Sequence, residues 1–189
     1  PWFATAGSGI NVYRLNVNSD ESGTDDPTEC GGDGTEVDTY FDAQFCNAGI
    51  RRCLSGSETI VRDELDDALP QWHVGAVLVN TTDHGGCRSG DVFWTNVGGN
   101  WLTTSMHELG HAAFNLADEY DYWDGCETEN IRTGEVEPNI TYATTRESLK
   151  WRHLVNPGVP VPTLFNPDCS MCNTAANPLS DDLAVGLFE

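Results

Sequence analysis

Residues 105–123 read SMHELGHAAFNLADEYDYW, and the rest of the chain is best understood outward from them. His107 and His111 are four residues apart, which on a helix means about 6 Å of rise at nearly the same azimuth. Both imidazoles can then face one point, with Glu108 beside the first of them. The pattern H-E-x-x-H brings two metal ligands and a general base together on one helical face. A hydrolytic zinc site uses three protein ligands and keeps one position open, so a third ligand is required.

Asp118 lies seven residues beyond His111 and shares its helical azimuth, but a straight helix would carry it about 10 Å too far along the axis. The helix must therefore break after His111 and the chain must double back. Asn115 tolerates positive φ and supplies that hinge. Glu119 is the neighbouring competitor, and Glu127, Glu129, Glu135 and Glu137 are candidates for a ligand donated from a second helix. Asp118 is favoured, with Zn2+ as the ion and Glu108 as the catalytic base.

Upstream, Asn100 is a good N-cap residue for a helix running through WLTTSMHELGHAAF. GDVFWTN (90–96) reads as a strand leading into it, and its position predicts a sheet edge against which an extended protein or peptide substrate pairs. VGAVLVN (74–80), apolar and free of charge, predicts a central strand buried on both faces. Ser57 stands at an N-cap position before Val61, Leu65, Ala68 and Leu69, which recur at helical spacing until Pro70. INVYRLNV (10–17) places Tyr13, Leu15 and Val17 on one side of an expected strand. Residues 18–38 read as loop with Cys30 as a staple, and most of the C-terminal third reads as irregular. His73, His84 and His153 receive no role, and the HGG of 84–86 reads as a turn. Tyr120 and Tyr142 are considered as oxyanion partners, and neither is assigned.

At 189 residues the chain is long enough for one domain with its own core, expected as a monomer. Nine Lys and Arg against thirty Asp and Glu give a net charge of −21, which opposes nucleic acid and anionic membranes as partners. Seven cysteines without a second C-x-x-C indicate disulfides and a secreted protein rather than a cysteine–zinc site. No run of apolar residues is long enough to span a bilayer. Calcium at Asp20, Glu21 and Asp25 has no supporting EF-hand spacing. The sequons at Asn80 and Asn139 carry little weight.

HELGHAAFNLADEY resembles the signature of the secreted IgA-specific metallopeptidase family. VYRLNVNSDESGTDDP, VDTYFDAQF, AVLVNTTDHGG, VEPNIT, LKWRHLV and PDCSM resemble that family's other blocks in the same order. The resemblance implies a metzincin-like zincin domain of α+β class over residues 1–189. A twisted mixed sheet and the active-site helix would lie in 1–115, with a loop-rich lower subdomain in 116–189. It further implies that Met171 forms the methionine turn beneath the metal. The chain departs from the metzincin pattern at Phe114, where that pattern has Gly, and at Ala117, the usual third-ligand position. Here the turn residue and the acid each come one position later, at Asn115 and Asp118. The implied activity is zinc endopeptidase. The competing readings are a catalytically silent zinc-containing binding or adhesion module and a zinc amidase acting on cell-wall peptides.

Overall fold

In a computed structural model, the residues described are 9–118, 137–141, 143, 145–159 and 161. The chain divides into two compact units, 1–113 and 114–189. In the first, helix α1 spans Glu58–Ala68 from Ser57, which is extended and occupies the N-cap position without a side-chain capping bond. Val61 is buried and Leu65 packs against the core. The helix closes with Leu69 N–H on the Leu65 carbonyl, next to Pro70, which disfavours helical backbone in the residue before it.

Three strands follow: β1 (Gly75–Val79), β2 (Gly86–Ser89) and β3 (Val92–Asn96), in the order β1-β3-β2. β2 and β3 form an antiparallel hairpin, and β3 inserts parallel to β1 with Val77 opposite Trp94. Phe45, Leu54, Val61, Val77, Val79, Val92 and Trp94 make up most of the core beneath the sheet. The class is mixed α+β.

Three expectations are corrected. GDVFWTN is the interior strand, with every residue of β3 buried, so it offers no edge to a substrate. β2, short and partly polar, is the edge instead. Among the described residues β1 is not central: it is the other outer strand, and it buries alternate residues while Leu78 is 62% exposed. An apolar run without charge does not encode how many faces are covered. Residues 10–17 form no strand, and Val12 is 89% exposed. On an extended segment Ile10 and Val12 would fall on the opposite side from Tyr13 and Leu15, which leaves no single apolar face, and no described segment pairs with this stretch.

Disulfides Cys30–Cys46 and Cys53–Cys87 fasten the loops of the first unit. Cys126, Cys169 and Cys172 lie outside the described residues. The early-loop acids serve the loop's own backbone: Asp25 Oδ1 accepts from Val37 N–H at 2.7 Å and Glu21 Oε2 from Asp38 N–H at 2.8 Å. Asp26 pairs with Arg51 at 2.7 Å.

Helix α2 spans Trp101–Phe114, and Thr104 N–H reaches the Asn100 carbonyl. In the second unit Ile140, Thr141 and Leu149 are buried, and Lys150 Nζ donates to the Glu137 and Ile140 carbonyls. No helix among the described residues is long and apolar enough to cross a membrane.

Candidate metal centre

Helix α2 buries Thr104, Glu108 and His111, residues spaced four and then three apart, so a single stripe of the helix is turned inward. His107 stays exposed beside that stripe. Its Nε2 lies 3.0 Å from the Nε2 of His111, with the rings at 88°. A tetrahedral zinc ion with Zn–N bonds of about 2.0–2.1 Å holds two nitrogens about 3.3 Å apart. The pair is therefore close to the separation that one shared ion requires, and about 0.3 Å tighter.

The helix stops at Phe114, and Asn115 has φ 51°. The left-handed residue costs Asn less than a branched side chain, because its short amide can bond locally. A positive φ at this residue is what the sequence leads us to expect. His107, His111 and Asp118 each offer a ligand atom, and these atoms lie within 4.8 Å of one another. The donor set of two imidazoles and one carboxylate suits zinc. Glu137, though described, is not in the group. Glu119, Glu127, Glu129, Glu135, Tyr120, Tyr142 and Met171 lie outside the described residues.

Two contributors carry no motif. Asn139, counted in the sequence only as a sequon, grips the peptide just before Asp118: its Oδ1 accepts from Ala117 N–H at 2.8 Å and its Nδ2 donates to Ala117 O at 2.9 Å. The nitrogen a glycan would occupy is thus engaged in a clamp on the peptide just before Asp118. The position of Asn139 in VEPNIT was the one available signal. Gly86 opens β2 where the strand meets α2. A Cβ there would lie 2.6 Å from Thr104 Cγ2 and 2.9 Å from Glu108 Oε1, so the absence of a side chain is what lets Glu108 lie against the edge strand. The HGG reading as a simple turn missed this close approach.

At the far end of the same strand, Ser89 donates its hydroxyl to Glu58, which also pairs with Arg62 at 2.6 Å. The Ser89 hydroxyl first, and then Arg62, hold the Glu58 carboxyl below its ordinary range. Asp91 first, and then Glu58, reinforce the charge on Arg62. The edge strand is therefore fixed at one end to α1 and, through Cys87, to the loop carrying Cys53.

No curated protein matches the chain. Among known families, residues 3–177 match IgA Peptidase M64. A match over most of the chain, joined to a His-His-Asp group and an adjacent buried glutamate, places it as a peptidase: the chain belongs to the IgA peptidase M64 family of metallopeptidases.

Proposed function

We propose that the protein is a secreted, metzincin-like zinc endopeptidase in which His107, His111 and Asp118 hold the metal and Glu108 is the general base. The observation that carries this reading is the 3.0 Å approach of two imidazole nitrogens next to a glutamate that is only 7% exposed. When bound, zinc supplies Lewis acidity and lowers the pKa of water. Glu108 accepts the water proton as the oxygen attacks the scissile carbonyl, and returns it to the amine nitrogen as the C–N bond breaks. The carboxylate is thus regenerated in each turnover.

An extended substrate adds to the sheet beyond β2, outside which no further strand lies among the described residues. Main-chain hydrogen bonds would hold the peptide there, and alternate side chains would read the cleft. Two disulfides support an oxidising, extracellular compartment.

The test is digestion of an unfolded protein by the wild type and by Glu108→Gln, with and without chelator, the cut sites being read by mass spectrometry. Glu108→Gln is expected to lose about 10²- to 10⁴-fold in kcat while binding zinc normally. A variant that cuts as fast as the wild type would remove Glu108 from the mechanism. Products confined to cell-wall peptides would indicate an amidase, and a zinc-loaded wild type that cuts nothing would favour a binding module.

A further inference from the structure

The hydrogen-bond order around His84 fixes which of its ring nitrogens carries the proton. Asn96, fully buried at the end of β3, is satisfied on both sides only when its amide is oriented with Nδ2 donating to the Gly85 carbonyl at 3.2 Å and Oδ1 accepting from Gly98 N–H at 3.0 Å. In that orientation Asn96 presents an oxygen to the Asn100 amide 3.4 Å away. Asn100 must then turn its Nδ2 to Asn96 and its Oδ1 to His84, since two facing oxygens cannot bond. The Asn100 amide lies 2.5 Å from His84 Nδ1, so Nδ1 is the donor. On the other side Arg52 Nη1 lies 3.2 Å from Nε2, and a guanidinium only donates, so Nε2 accepts. One hydrogen placement meets both contacts: a proton on Nδ1 and none on Nε2, the Nδ1–H tautomer.

This imidazole sits where the parts around Glu108 meet. Asn100 precedes α2 and its carbonyl receives Thr104 Oγ1 at 3.3 Å, while Thr104 Oγ1 lies 3.5 Å from His84 Nδ1. Thr104 and Glu108 are one turn apart on the same helical face, and both occupy the space that a Cβ at Gly86 would need. Arg52 adjoins Cys53, whose disulfide reaches Cys87 in β2. A slide or rotation of the first turn of α2 would move Glu108 relative to the edge strand, and His84 joins that turn to the loop fastened to the strand.

We propose that His84, as the Nδ1–H tautomer, is a positioning residue that holds the first turn of α2 through Asn100 and so sets Glu108 against β2. This rests on the hydrolase reading given above. The test compares His84→Asn, His84→Gln and His84→Leu in the zinc-loaded full chain. Asn places an amide N–H near the ring Nδ1, whereas Gln reaches the place of Nε2. Gln and Leu are expected to lower kcat by about 10- to 100-fold, the scale of an ångström misplacement, with zinc content and KM held and with Asn restoring most of the rate. Equal behaviour of Asn and Gln, a Leu variant as fast as the wild type, or a loss carried by KM would overturn the proposal. Imidazole ¹⁵N NMR of the wild type reads the same state without turnover, and an Nε2–H signal at neutral pH would also overturn it. A wild type that cuts nothing sinks the hydrolase reading instead. The tautomer signal still decides the hydrogen-bond order in that case.

Discussion

In the proposed mechanism Glu108 is the residue on which the chemistry turns, and its place depends on an atom that is missing: the Cβ of Gly86. Gly86→Ala would put a methyl group 2.9 Å from Glu108 Oε1 and 2.6 Å from Thr104 Cγ2. Something must shift, and the carboxylate is the softer of the two. The expected result is a kcat lower by about 10- to 100-fold with zinc content unchanged, because no metal ligand is touched. Stopped-time assays paired with metal analysis check this, and full activity in the alanine variant would mean that the carboxylate relaxes without cost. Asn139→Ala acts on the other side of the site. Removing the clamp on Ala117 is expected to weaken zinc binding by about 10- to 100-fold, as the loss of other outer partners of metal ligands does. Competition with a chromophoric chelator measures it, and an affinity within twofold of the wild type would mean that Asp118 is held without the clamp. His107, Glu108 and His111 were legible in the sequence because their chemistry is tied to a four-residue spacing. The grouping of Asp118 with them was legible through its shared azimuth and the positive φ tolerated at Asn115. Gly86, His84 and Asn139 were not, since each acts through a contact with a residue more than fifteen positions away.

Among the elements, β2 is the smallest and the one with most attached to it. Ser89 and Arg62 both favour the ionised form of Glu58, so the folded state holds this carboxyl below its unfolded pKa. Its contribution is then present above the unfolded pKa and lost as the pH falls through the lower, folded value. Glu58 is partly exposed, which limits the effect to about 0.5 kcal/mol. Wild type and Glu58→Gln should therefore differ in denaturant midpoint at neutral pH and converge in acid. A gap that persists at low pH would assign the difference to packing. The order of the strands was the least legible part of the fold. Helical spacing located α1, the Asn100 cap and the H-E-x-x-H spacing located α2, and apolar extended runs located β1 and β3, but pairing is a long-range property: β3 reads like an exit strand in sequence and lies inside the sheet because the β2 hairpin folds around its outer side. The segment 10–17 shows the converse, a strand-like composition with no partner among the described residues.

At the scale of the whole molecule, a net charge of −21 means that folding gathers like charges. Screening shortens from about 30 Å at 0.01 M salt to about 8 Å at 0.15 M, so monovalent salt should raise the melting temperature by a few degrees. A scan of Tm against sodium chloride checks this, and a flat or falling curve would mean that local pairs such as Asp26–Arg51 outweigh the general repulsion. The same acidity disfavours acidic partners. The disulfide Cys53–Cys87 has one more consequence. It encloses residues 54–86, and so all of α1 and β1, in a covalent ring. If the protein nicks itself once anywhere in that ring, the two pieces stay joined. Autolysis there would escape a non-reducing gel and show only after thiol treatment, so an apparently intact preparation can already be a two-chain molecule.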